Sequence, residues 1–237
     1  MKDQNINFKS IKPVPAMSSP LGYHSMAGAL ASAIFLACLA LSAFGGSAPQ
    51  PGGSHAFGKS STEWQELYWR WFYGGVSIQT DANGNAAVGN VVLLALPNAP
   101  GDGTPGSLDI TLKPGQAFVL PEFGFLGTSY TDGTPPDPMV GLSVFETLEI
   151  SLTLDGVTIV DSSNVLEYYA GAFLVPEIPL NSPPLAAAIW FQGISIVHNP
   201  LSVGSHVIHL DVKNTEPVFG FISEYHNTWN VTVRPGK

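Results

Sequence analysis

From residue 142 to 154 apolar and polar side chains alternate. Leu142, Val144, Leu148, Ile150, Leu152 and Leu154 fall on one side, and Ser143, Thr147, Glu149, Ser151 and Thr153 on the other. Successive side chains of an extended strand point to opposite faces, so this pattern predicts a half-buried β-strand with one dry side. Asp155-Gly156 then joins Leu154 to Val157. Both residue types tolerate the positive φ that a two-residue hairpin turn demands, so the chain is expected to fold straight back on itself. A dry face made this way must be covered by a second layer, and this need bounds what the rest of the chain can be.

The remaining sequence supplies that layer. Asn83-Gly84 and Gly89-Asn90 are turn signals ahead of a run at 91–96. Further strands are expected at 108–112, 116–120, 157–160, 168–175, 187–198, 205–212 and 219–233. Lys113-Pro114-Gly115 reads as a short hairpin connection between the first two of these. One segment has the helical period instead. Trp64, Leu67, Tyr68, Trp71 and Phe72 recur at helical spacing, with Ser60 and Glu63 placed as a capping box and Gly74-Gly75 as the stop. A helix over 60–73 is predicted to bury that aromatic face, with Trp69 and Tyr73 at its border, where exposed rings would offer a stacking platform. The fold class is therefore mainly β: an antiparallel β-sandwich or jelly roll with one N-terminal amphipathic aromatic helix.

Composition narrows the setting. Charged residues are only 11% of the 237, and the formal net charge is −9. Phosphate backbones are held by clustered cations, so a nucleic-acid partner is not expected. Residues 26–46 carry no charge, follow Lys2, Lys9 and Lys12, and lead into small residues. That is the pattern of a signal peptide over 1–48 with cleavage within 43–48. The same run, roughly 20 residues long, would also serve as an N-terminal anchor, the one route by which a membrane enters this reading. Residues 49–57 read as a linker and 58–237 as a single domain. The expected location is exported: periplasmic, cell-surface or extracellular. Cys38 is the only cysteine, so a chain trimmed after 43–48 has no disulfide and no thiol chemistry.

Gly58-Lys59-Ser60, Glu63-Trp64, Trp69 and Trp71, with Asp155-Gly156 and Pro200-Leu201-Ser202-Val203-Gly204-Ser205-His206, resemble an uncharacterised family of exported bacterial proteins. Its members open with a Gly-Lys-Ser/Thr turn and a Trp-rich helix. An all-β domain follows, with an Asp-Gly hairpin and a late Pro-Leu-x-x-Gly-x-His strand. The resemblance spans roughly 58–233, and Tyr68 stands where the pattern has another Trp. It implies export and an all-β fold, and it carries over no catalytic residue.

Chemistry must then be sought among individual side chains. His198, His206, His226 and Glu224 are the right types for a metal site, although the faces split, because His206 and His209 are three apart on one strand. Asp81-Ala82-Asn83-Gly84-Asn85 imitates the start of a calcium loop, with oxygens at alternate positions in Asp81, Asn83 and Asn85. Val92 stands where such a loop places its bidentate Glu. A Gly/Asn turn explains the same spacing without a metal, so no cofactor is expected, with Ca²⁺ as the alternative that these oxygens leave open. Asp102, Asp132 and Asp137 lie in Gly/Pro loops and, with Tyr130, Trp69 and Tyr73, form the candidate ligand-binding set. No G-x-S-x-G, P-loop or G-x-G-x-x-G at a strand-to-helix turn is present, and no Ser-His-Asp set is legible. These features point to a non-enzymatic surface or extracellular module that binds glycan or another envelope component. A jelly-roll hydrolase or metal-dependent enzyme, and a structural or assembly protein, are the competing classes.

Overall fold

The computed structural model describes residues 49–50 and 55–235. The expected signal peptide or anchor lies outside them. No helix among the described residues is long and apolar enough to cross a membrane. The chain runs β1 (His55–Ala56), β2 (Lys59–Ser60), α1 (Ser61–Phe72), β3 (Ala86–Val88), β4 (Val91–Leu93), β5 (Asp102–Leu112) and β6 (Ala117–Tyr130). It continues with α2 (Ser143–Glu146), β7 (Glu149–Leu154), β8 (Val157–Asp161), a 3-10 turn (Val165–Tyr168), β9 (Tyr169–Ser182), β10 (Leu185–His198), β11 (Gly204–Lys213) and β12 (Glu224–Val233). The stretch expected as a linker contributes β1, and Gln50 bridges to Val197 of β10.

Two five-stranded sheets result, in the orders β3-β4-β6-β10-β9 and β5-β12-β11-β7-β8. Their facing sides share one core. Phe118, Leu120, Ile194 and Ile196 come from the first sheet; Ile110, Leu152, Leu210, Trp229 and Val231 come from the second. The protein is a mainly β sandwich, as the alternation requires. Six of the eight pairings within these sheets are antiparallel, but β4 with β6 and β5 with β12 run parallel. The reason is the crossing of the chain between layers. After β4 it passes into the second sheet as β5 and returns to the first as β6, beside β4. The connection at 113–115 is therefore a corner between sheets and not a hairpin. Gln116 N–H donates to the Lys113 carbonyl at 3.1 Å, and the Gln116 side chain accepts from Lys113 N–H at 2.7 Å. A turn this self-contained fits either geometry, which is why its sequence alone misleads.

The alternating run also begins later than expected. Ser143–Glu146 is a helical turn that buries Phe145 and leaves Leu142 exposed, so the strand proper starts at Glu149. From there the pattern is regular: Ile150, Leu152 and Leu154 are buried.

Helix α1 closes the outer face of the first sheet. Ser60 and Glu63 form the reciprocal capping box, with Glu63 Oε2 accepting from Ser60 N–H at 2.6 Å. Trp64 and Tyr68 pack on Val91, Leu93, Ala117, Val119 and Val197. Trp64 Nε1–H donates to the Ala56 carbonyl at 2.8 Å, and Tyr68 O–H to that of Leu94 at 2.9 Å. The buried stripe is rotated from the expected one. It runs through Ser61, Trp64, Gln65 and Tyr68, while Phe72 is exposed. Gln65 earns burial by donating to the carbonyls of Tyr168 and Gly193, both at 3.4 Å. Counting apolar letters overlooks such a position. Among the described residues no element comparable to α1 lies over the outer face of the second sheet.

Candidate functional site

The loop carboxylates are occupied with turn geometry. Asp102 Oδ1 accepts from the Asn98 side chain and from Thr104 N–H, both at 3.0 Å. Those bonds, the Asn98 one foremost, hold its carboxyl below the usual range. Asp132 accepts from Thr134 N–H at 3.0 Å, which lowers it likewise. Asp137 takes Thr128 N–H at 2.9 Å, Thr128 O–H at 2.6 Å and Tyr130 O–H at 2.9 Å. Its carbonyl takes the Trp190 indole at 2.8 Å. No hydrogen bond joins the three carboxylates to one another among the described residues. Asp81 Oδ1 accepts from the backbone N–H groups of Asn83 and Asn85, both at 2.9 Å, and Asn85 Oδ1 accepts from Ala95 N–H at 2.9 Å. The calcium-like spacing thus builds an Asx turn that anchors the strand after it. Of the aromatics, Trp69 is half-buried against Gly124, where a Cβ would come within 3.0 Å of its ring. Tyr73 is exposed beside Phe72, with ring centres 5.1 Å apart.

The histidines divide between environments. His198 is buried, stacked on Phe118 at 5.0 Å, with Nδ1 at 2.7 Å from the Asn199 carbonyl. Burial holds its ring below the ordinary histidine value. His206 lies on the inner side of β11. Its Nδ1 is 2.7 Å from Asp155 Oδ2, and its Nε2 is 2.9 Å from the Ser202 carbonyl and 3.4 Å from the Ser202 hydroxyl. These three residues form a Ser-His-Asp chain that the sequence did not reveal. The contacts brace the Asp155 turn against the start of β11, and the Ser202 carbonyl, which can only accept, lies nearer to Nε2 than the Ser202 hydroxyl does. His226 and Glu224 project from the other side of the same sheet, so the expected set of His198, His206, Glu224 and His226 is not brought together. Among the described residues no group of three or more His, Cys, Asp or Glu is arranged to hold a metal.

It is the outer face of the second sheet that gathers titratable groups. Antiparallel register sets Asp211 opposite His226, Lys213 opposite Glu224 and His209 opposite Thr228. His226 Nδ1 is 2.6 Å from Asp211 Oδ1, and Nε2 is 3.0 Å from Glu224 Oε1. His209 Nε2 is 3.0 Å from Asp211 Oδ2, and Lys213 Nζ is 3.1 Å from Glu224 Oε2. The bond to Asp211 and then that to Glu224 raise the His226 ring above its ordinary value. The Lys213 and His226 contacts lower Glu224. The cluster borders a shallow groove of about 440 Å³, lined also by Glu149, Ser151 and Ser162. Period-two parity was enough to put Glu224 and His226 on one face. It could not supply Asp211 or Lys213, because partners across strands depend on register.

One group stands apart. Glu122 lies where β6 carries an extra residue opposite Ile194 and Ser195 of β10. It is buried, and both carboxyl oxygens lack a hydrogen-bond partner, as does the Ser195 hydroxyl. Burial without compensation holds its carboxyl well above the usual range. No family model matches the chain, and no curated protein matches it in sequence.

Proposed function

We propose that this protein is an exported, non-enzymatic module that binds a glycan of the cell envelope or its surroundings through the outer face of its second sheet. The observation that carries the reading is the unequal treatment of the two sheets. Helix α1 seals one outer face with Trp64 and Tyr68. The other presents Ser107, Asp109 and Thr111 on β5, Thr228 and Asn230 on β12, and the charged cluster around the groove. Side chains there repeat about every 4.8 Å across strands and about 6.8 Å along them, a regular array of donors and acceptors suited to sugar hydroxyls. The half-burial of Trp69 and the bonding of Tyr130 to Asp137 favour hydrogen bonding over ring stacking as the mode of recognition. The apolar run at 26–46 supports export.

The test is a glycan array probed with the full chain and with Asp211→Asn and Glu224→Gln. Binding that weakens in both variants is expected. A blank array together with measurable hydrolysis of a polysaccharide would replace this reading with the hydrolase class.

A further inference from the structure

The two nitrogens of His226 face carboxylates on different strands, Asp211 of β11 at 2.6 Å and Glu224 of β12 at 3.0 Å. An ionised carboxylate can only accept, so both contacts are hydrogen bonds only when both nitrogens carry protons. We propose that His226 is a proton-operated clasp on the groove: as imidazolium it ties Asp211 to Glu224, and as neutral imidazole it releases one of them.

The geometry says which one is released. A neutral ring keeps a single N–H, and the shorter contact is to Asp211, so the proton stays on Nδ1 and Glu224 Oε1 loses its donor. Asp211 also keeps His209 at 3.0 Å, and Glu224 keeps only Lys213 at 3.1 Å through its other oxygen. The released oxygen lies on the groove wall as an open acceptor, and the groove gains one unit of negative charge. Other neighbours do not replace the lost donor. On β7, Ser151 stands opposite Asp211 and Glu149 opposite Lys213. On β5, Pro105 stands opposite His226 and Asp102 opposite Glu224. Lys213 is the one fixed cation among these facing groups, and it is already paired with Glu224.

The consequence for ligand binding rests on the glycan reading: an open Glu224 oxygen accepts a hydroxyl, so affinity rises as His226 loses its proton. The clasp itself needs no ligand. The test is a pH titration of the imidazole ¹⁵N and ¹H signals in the full chain labelled at histidine, in wild type, Asp211→Asn and Glu224→Gln. These positions lie on a half-exposed sheet face, and circular dichroism checks that both variants fold. The expected result is a His226 midpoint above the ordinary value of about 6.5, lowered in each variant, with Nε2 as the nitrogen that deprotonates. A midpoint that neither variant moves, or loss of the proton from Nδ1, would overturn the clasp. A blank glycan array leaves this titration decisive, and a positive array with an unmoved midpoint rejects the clasp while keeping the glycan reading.

Discussion

His206 and Asp155 are 51 positions apart in the chain, yet Nδ1 of one lies 2.7 Å from Oδ2 of the other. The second Asp155 oxygen accepts from Val207 N–H at 2.8 Å. One carboxylate therefore ties the β7–β8 turn to the start of β11. Asp155 itself sits at φ 52, the left-handed conformation that its Asp-Gly turn requires. Asp155→Ala removes both acceptors and puts Ala in that conformation. A loss of about 1–3 kcal/mol is expected, or several degrees in melting temperature. Asp155→Asn keeps an acceptor for Val207 and tolerates the backbone, so it should lose less. Thermal melts of the two variants decide this, and equal losses would remove the brace from the account.

Glu122 should make the fold weaken as pH rises. Its folded pKa is raised well above the unfolded value, so near pH 4 and below both states hold the proton and no penalty applies. Above about pH 4.3 the unfolded chain loses the proton while the folded one keeps it, and stability falls until the folded group itself ionises. Glu122→Met removes this slope. Urea melts at pH 4 and pH 8 should show the variant gaining on wild type at the higher pH. Parallel pH profiles would mean that a donor reaches the carboxyl in solution.

At Gly127 the close approach leaves no room for a side chain: a Cβ would overlap the indole of Trp190. Trp190 is buried and donates to the Asp137 carbonyl at 2.8 Å. Gly127→Ala must displace that ring and break its bond. A cost on the order of 3 kcal/mol or more is expected, since overpacking and a lost buried hydrogen bond combine. A red-shifted tryptophan emission would accompany it. Unchanged emission and stability would show that the strand relaxes instead.

Ser60→Ala tests the helix start. It removes the hydroxyl that accepts from Glu63 N–H at 3.2 Å, and a loss of about 1 kcal/mol is expected in denaturant melts. A loss far larger would mean that the cap also supports β2.

The legible parts of this molecule are those controlled by neighbours in sequence. The α1 boundaries follow from Ser60, Glu63 and Gly74, and the split faces of β11 and β12 from period-two parity. Trp190 and Trp229 are both buried, as the large area of an indole favours. The illegible parts depend on what lies opposite. Parity cannot tell a hairpin from a corner at Lys113-Pro114-Gly115, nor choose Phe145 over Val144 once that segment turns helical. It also cannot see that Asp211 meets His226. The buried Gln65 and Glu122 carry polar letters that every hydrophobic pattern assigns to the surface. Of the candidate ligand residues, Asp102 and Asp132 accept from N–H groups of their own turns and Asp137 from Thr128 and Tyr130 of β6, bonds that no sequence pattern displays. The groove was half visible, through Glu224 and His226 only.

Helix α1 covers one sheet and not the other, so the sandwich is a tile with a sealed back and a wettable front. On the proposed reading, a tag, linker or solid support attached through the helix leaves Asp211, Glu224 and His226 facing the medium, whereas attachment through the strands of the opposite face covers the groove.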